Sequence, residues 1–394
     1  VTTATTLSDV VEAMDDLFPP RWAEPGDPVG LVVGDQAAEV RRVLLAIDPV
    51  QAVVDEAVAS AADLIVAHHP LLFRPVHAVA SSTPKGRVVH ELISHGIGLF
   101  VAHTNADSPA GGVSESMALA LGLENLRPLE AAALDPLDKI VTFVPESHAA
   151  AVVDALAAAG AGAIGAYDRC AFLTTGEGTF RPGAGATPAI GSVGEIETVR
   201  EVRVEMVLHR HRRADVVAAL QAAHPYEEPA FDVLELASWP SDRGTGRVGV
   251  LARPVTLGRF ADLVAQSLPR TAVGVRVSGD PGSTVSRVAL VGGSGDFMLD
   301  AARAAGVDVF VTSDLRHHPA SEFREYVGAP ALVDVPHWAA EWTWLPRLAQ
   351  ALGRRLAAAG GRQVSFEVSR TCTDPWTSWV PHRVATPNQH EESS

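Results

Sequence analysis

Cysteine is scarce. Of 394 residues only Cys170 and Cys372 are cysteines, and they lie far apart in the chain. Two such residues cannot build a disulfide framework, so the expected compartment is a reducing cytoplasm. Long apolar runs are missing as well. No stretch approaches the ~20 residues that a membrane-crossing helix needs, and no membrane partner is expected. The opening Val1-Thr-Thr-Ala-Thr-Thr-Leu-Ser lacks a charged n-region and an apolar h-region, so no signal peptide is expected. Positive charge is in deficit: 31 Lys and Arg stand against 47 Asp and Glu, a net −16. A surface of that sign repels polyanions and argues against a broad nucleic-acid or anionic-membrane face, though not against a local basic groove. Familiar nucleophile and nucleotide motifs are absent too. There is no Gly-x-Ser-x-Gly elbow, no Walker lysine, no full dinucleotide fingerprint and no paired-cysteine redox motif.

What remains is an ordinary globular composition, 47% apolar and 20% charged, in a chain long enough for two or three domains. One stretch organises it. In Asp63-Leu-Ile-Val-Ala-His68-His69-Pro70 an apolar run ends in two histidines, and proline forbids its continuation. Leu64, Ile65 and Val66 predict a buried strand, which puts the imidazoles at a strand's carboxyl end, where open α/β sheets place their ligands. Gly98-Leu-Phe-Val-Ala102 runs likewise into His103-Thr-Asn-Ala-Asp107. Ala331-Leu-Val-Asp-Val-Pro336 runs into His337-Trp-Ala-Ala-Glu341.

The order of elements predicts three parts. Residues 1–132 alternate helix and strand, with Ser8 as the expected N-cap of the first helix and a long loop over 71–85 beside the histidines. Residues 136–238 change style. Strands at 139–145, 169–175, 198–208 and 230–236, with helices from Ser147 to Ala159 and from Arg212 to Ala223, give the βαββαβ order of a ferredoxin-like unit. The run Arg210-His-Arg-Arg213 reads as a solvated helix start, and His224-Pro-Tyr-Glu-Glu228 as a rigid turn. Residues 246–380 resume the first style. Asp308-Val-Phe-Val-Thr-Ser-Asp314-Leu-Arg-His317-His318-Pro319 echoes the Asp63 stretch, and His337/Glu341 echoes His103/Asp107. The expected fold class is therefore α/β: a two-lobed core with similar halves, and an inserted ferredoxin-like α+β domain. Residues 381–394 are polar without periodicity and are expected to be a disordered tail.

One His-x-x-x-Asp/Glu pair is common on a helix surface. Two of them plus a His-His pair, each at a strand end, form a constellation. Imidazole with carboxylate suits zinc, manganese, iron or cobalt. The ligands exceed the needs of one tetrahedral ion. Two divalent ions about 3.5–4 Å apart, bridged by a carboxylate, would use them all. Asp314 and His318, at a further strand end, are candidate additional ligands or partners of the ligands. Gly292-Gly-Ser-Gly295 reads as a tight strand-to-helix turn, with an anion cradle as the alternative.

Taken together, His68-His69-Pro70, His103-Thr-Asn-Ala-Asp107 and Asp334-x-x-His337-x-x-x-Glu341 resemble the NIF-three-like family, whose members are catalogued as GTP cyclohydrolase 1 type 2 homologues. Gly292-Gly-Ser-Gly295, Thr312-Ser-Asp314, His318 and Asp374-Pro-Trp376 fall in the family's order, and the likeness covers about Leu7 to Trp379. It departs at Ser313, where the family commonly has glycine. The resemblance implies a dinuclear site in which His68, Asp107 and Glu341 hold one ion and His69, His337 and Glu341 the other, with Glu341 bridging and His103 close by. It implies that the insert is the PII/CutA-like domain of the longer bacterial members, and that the chain assembles with itself into a homohexamer. The function it implies is a metal-dependent hydrolase acting on a nucleotide or related small molecule. The alternative is a non-catalytic metal-binding or regulatory hexamer whose insert senses a ligand.

Overall fold

In the computed structural model the described residues are 4–361 and 363–380. The tail at 381–394 lies outside them. The chain divides into two compact units, Val1–Ala132 with Asp242–Ser394, and Ala133–Ser241.

The first unit holds two large sheets. In one, Arg42–Ala46, Leu64–Ala67 and Gly98–Val101 run parallel. Gly30–Val33 joins antiparallel beyond Gly98–Val101, and Ser365–Val368 joins parallel at the other edge. In the other sheet, Thr284–Ser294, Val309–Ser313 and Ala331–Asp334 form the same parallel trio. Arg276–Ser278 lies antiparallel beyond Ala331–Asp334, and Arg247–Thr256 and then Leu123–Arg127 extend the far edge. The two halves therefore share a three-strand parallel centre with an antiparallel strand on the same side.

Burial explains why these strands read as continuous apolar runs. Val43, Leu45, Leu64, Val66 and Phe100 enter one large core together with Val288, Leu290, Val309, Val311 and Val333 of the second sheet. Their neighbours Leu44, Ala46, Ile65, Ala67 and Leu99 enter another beneath the helices Gln51–Ala59 and Pro84–Ser94. Both faces are covered, so both side-chain sets are apolar. The aspartates that open the two echoing strands do the same work. Asp63 Oδ2 accepts from the backbone N–H groups of Arg41 and Arg42 at 2.7 and 2.8 Å, and Asp308 Oδ2 from those of Ser286 and Arg287 at 2.8 and 2.7 Å. Each satisfies backbone donors of the neighbouring strand just before the parallel ladder between the two begins.

The second unit is a four-stranded antiparallel sheet in the spatial order Phe231–Glu235, Leu137–Pro145, Glu197–His209, Phe172–Phe180. Helices Ala149–Ala158 and Arg213–Ala223 cover one face, where Val202, Val204, Met206 and Leu208 pack with Val152, Leu156, Val216 and Leu220.

Local signals differ from expectation in several places. The first helix, Leu7–Leu17, is capped by Thr6 and not Ser8. The Thr6 hydroxyl accepts from Asp9 N–H at 3.3 Å and the Asp9 carboxylate accepts from Thr6 N–H at 2.7 Å, a reciprocal box that Ser8 cannot make from inside the helix. The loop expected over 71–85 ends sooner, since the helix Pro84–Ser94 already begins behind Thr83. The helix assigned to a Ser147 cap starts at Ala149, preceded by a 3-10 turn and with no side-chain cap. The strand expected to end at Thr175 runs on to Phe180. His317 and His318 do not close a strand. The strand ends at Ser313, Asp314 turns the chain with φ 56°, and the two histidines begin the helix His317–Arg324. Arg210 and Arg213 are not simply solvated: they grip the buried Asp138 at 3.0 and 2.8 Å.

Candidate metal centre

The strand ends converge. His68 and His69 follow Leu64–Ala67, His103 follows Gly98–Val101, and His337 opens the helix His337–Trp342 after Ala331–Asp334. Pro336 sets the entry to that helix, and the i,i+4 spacing puts Glu341 on the face of His337. The buried Glu341 is the hub. Its Oε1 lies 2.8 Å from His337 Nε2 and 3.5 Å from His68 Nε2, and its Oε2 lies 3.1 Å from His69 Nε2. Asp107 Oδ1 sits 3.6 Å from His68 Nε2. The His103 ring centre is 5.2 Å from that of His68 and 5.7 Å from that of His69. His68, His69 and His103 present nitrogens close enough to share an ion, and His69, His337 and Glu341 present two nitrogens and a carboxylate oxygen equally close.

Every imidazole is held from behind by its Nδ1. His68 meets the Ala102 carbonyl at 2.9 Å, His69 the Asp48 carboxylate at 2.7 Å, His103 Asp27 at 2.8 Å, and His337 Asp314 at 2.6 Å. An acceptor on Nδ1 fixes the proton there and leaves the Nε2 lone pair facing inward, as in ligating histidines. Trp344, fully buried, packs edge-on against His68 at 5.5 Å. Gly293 is bare for a reason: with φ 77°, a Cβ there would stand 2.5 Å from Glu341 Oε1. Within the stretch 292–295 it is therefore Gly293 that makes room for the hub. Gly292 and Gly293 belong to the strand Thr284–Ser294, and Gly292 N–H is taken by Ser114 Oγ at 3.2 Å.

Without ions the cluster competes for protons. Against its burial, Glu341 is pushed well below the usual carboxylate range by His69, His68 and His337. Burial draws the His69 imidazole down, but Glu341 and Asp48 outweigh it and carry it to about 10. The same balance, with Glu341 and Asp314, carries His337 to about 11. His68 is raised in spite of its burial, through Glu341 and Asp107. Burial, with the His68 charge, lowers His103. Burial and then Glu341 outweigh the nearby imidazoles and lift Asp107 to about 6. Two carboxylate oxygens inside the cluster, Asp107 Oδ1 and Glu341 Oε2, are buried without a hydrogen bond. Enclosed carboxylate oxygens facing inward-directed imidazole nitrogens fit divalent cations.

A family model described as Duf34/NIF3 (NGG1p interacting factor 3) matches residues 5–375. The chain belongs to the Duf34/NIF3 family. A relative from Mycobacterium leprae (strain TN), named GTP cyclohydrolase 1 type 2 homolog, is 48% identical over 373 residues, 94% of this chain and 94% of its own length. A Bacillus subtilis (strain 168) protein of the same name is 36% identical over 371 residues, 93% of this chain and 97% of its own length. The crystal structure of a Bacillus cereus protein related to NIF3 matches with a TM-score of 0.78 at 35% identity, covering 95% of this chain and 99% of that one.

In this Duf34/NIF3 chain the structure brings together His68, His69, His103, Asp107, His337 and Glu341, with Asp314 behind His337. His318 is not among them; it is exposed and its ring neighbours that of His317 at 5.2 Å. Two carboxylates behind the imidazoles escaped sequence reading. Asp48 follows the strand Arg42–Ala46 directly, so the strand-end logic that found the histidines also reaches it. Asp27 lies in a proline- and glycine-rich loop 76 residues from His103, with no local signal. Thr104 and Thr373 steady these carboxylates, through hydroxyl hydrogen bonds to Asp27 and Asp48 respectively.

Proposed function

We propose that this Duf34/NIF3 protein is a metal-dependent hydrolase of a nucleotide or related small molecule. In this reading His68, Asp107 and Glu341 would hold one divalent ion and His69, His337 and Glu341 a second, with Glu341 shared and His103 as a further ligand. The ions, when bound, would supply Lewis acidity and a water acidic enough to attack at neutral pH. Asp48 and Asp314 retain the Nδ1 protons of His69 and His337 and so hold both rings in the ligating tautomer. The observation that favours a substrate over simple metal storage is a cavity of about 840 Å³ lined by His69, His337, Asp48, Asp314, Trp376 and Trp379. Two exposed indoles offer flat faces for a ring, and the one guanidinium of the lining, Arg276, is engaged by Asp334. We read residues 136–238 as a ferredoxin-like, PII/CutA-like insert and the assembly as a homohexamer. The test is metal analysis of protein purified without added metal, followed by a turnover screen of nucleotides and phosphoesters. Two ions per chain, with turnover that a chelator abolishes and metal restores, is the expected result. A fully loaded protein that turns over nothing in the screen overturns the hydrolase reading.

A further inference from the structure

The unit Ala133–Ser241 contains a cavity of about 880 Å³, within the usual range of small-molecule sites. Its floor is the sheet face without helices. On the strand Glu197–His209, Val202 and Val204 point into the helix-covered core, so Glu201 and Arg203 face the other way, beside Phe143. Phe180 and the hairpin segment after it form one wall, and Tyr226, Glu227 and Glu228 form the other. The walls are tied together. The Phe180 and Tyr226 rings meet edge-on at 5.5 Å, and Thr187 N–H donates to Glu227 at 2.9 Å. The turn carrying Tyr226 is pinned by His224, which accepts from Tyr226 N–H at 3.1 Å and bonds the Phe143 carbonyl at 3.0 Å.

We propose that this cavity binds an organic cation, an ammonium group on an apolar body, with Glu201 meeting the charge and Phe143, Phe180 and Tyr226 meeting the body. Glu201 is only 8% exposed. Among the described residues its one hydrogen-bond donor is the neutral Tyr226 hydroxyl, at 2.9 Å. A carboxylate withdrawn from water needs a cation or several donors to offset its lost hydration, and a ligand ammonium supplies what the protein leaves out. The strand Phe172–Phe180 is shaped for that carboxylate: a Cβ at Gly178 would stand 2.0 Å from Glu201 Oε2. The rest of the lining has the matching sign. Glu177, Glu227 and Glu228 join Glu201 against two guanidiniums, Arg181 and Arg203. Arg203 is committed to Glu205 at 2.8 Å and lies over the Phe143 ring at 5.7 Å, and Arg181 is exposed. Aromatic faces also attract cations, the more so where water is excluded.

Two probes with the same ring and opposite charge decide the matter on the full-length protein: phenethylamine and 3-phenylpropionate, titrated by calorimetry. The amine should bind and the acid should bind at least tenfold more weakly. Glu201→Gln preserves size and an acceptor for Tyr226, and should weaken the amine at least tenfold while leaving metal content unchanged. Phe180→Ala, at the half-buried wall, should weaken it too and serves as the readout should Glu201→Gln fail to fold. Equal or tighter binding of the acid, undiminished amine binding by the variants, or no amine binding at millimolar concentration would each overturn the proposal. None of these readouts depends on turnover at the metal centre.

Discussion

Glu341 is buried among three imidazoles, and its charge is the sum on which the proposed centre depends. Glu341→Gln keeps the shape and removes the anion. It should empty both sites together, because a shared ligand couples the ions. His69→Ala removes one ligand from one ion and should leave the other partly occupied. Metal stoichiometry of the two variants at one pH distinguishes them. Two ions retained in Glu341→Gln, or one ion per chain in the saturated wild type, would sink the dinuclear reading. Proton linkage gives a second check. An ordinary histidine is mostly neutral at pH 7.5, but His69 and His337, raised to about 10 and 11, still carry protons there. Ions must displace them, so loading at pH 7.5 should release about two protons or more, and affinity should fall steadily as pH falls. Calorimetry in buffers of different ionisation enthalpy counts these protons; a count near zero would show that the rings are not the ligands. The histidines of the proposed centre were legible in the sequence because each stands at the end of a strand-like run, and Asp107 and Glu341 because each lies four residues beyond such a histidine. Asp27 was not, since nothing in a loop foretells which distant ring it will meet.

At the scale of elements, the parallel between Asp63 and Asp308 was visible as an echo, and its cause is now plain: each accepts two backbone N–H groups of the adjoining strand just before the parallel ladder begins. The echo misled where it was extended to His317-His318-Pro319. The same letters follow the second strand three residues later, after a left-handed turn at Asp314, and so open a helix. Ser8 is a plausible cap by type, but the choice rests on which hydroxyl can reach the third N–H beyond it, and the helix Ala149–Ala158 begins with no side-chain cap at all. Charge was misjudged at Arg210 and Arg213, read as a solvated helix start, which cover the wholly buried side chain of Asp138. Burial opposes its ionisation, but the two guanidiniums hold it below the usual carboxylate range. Its stabilising contribution is thus complete above the unfolded value of ~3.9 and is lost as pH falls through the lower folded value. Asp138→Asn should lower stability at pH 7 by roughly 1–3 kcal/mol. Chemical denaturation of both proteins across pH 2–7 should show the gap closing only at the acidic end. A gap that is absent at pH 7 would mean that the pair contributes nothing.

The whole molecule tests whether the two units are independent in folding. The first unit is assembled from both ends of the chain, and its strands pair across the interruption. Val248 lies opposite Arg127 and Leu251 opposite Leu123, while Leu129 N–H reaches the Gly246 carbonyl at 3.4 Å. The chain thus leaves and re-enters the first unit at neighbouring points, where loop closure costs little for a short linker. All the proposed metal ligands belong to that unit, and the second has its own core. Replacing residues 136–238 by a short Gly/Ser linker should therefore leave a folded protein that loads metal with wild-type stoichiometry and releases the same protons. Sedimentation of the intact chain should give a species near six times the chain mass, and a stable monomer at micromolar concentration would refute the hexamer. Comparing the excised chain in the same experiment shows whether the insert is needed for assembly, while metal analysis shows whether it is needed for the site. If the excised chain neither folds nor binds metal even as a monomer, the insert is integral to the core. The adjacency of Arg127 and Val248 would then be a consequence of the insert's folding, and not the frame that receives it.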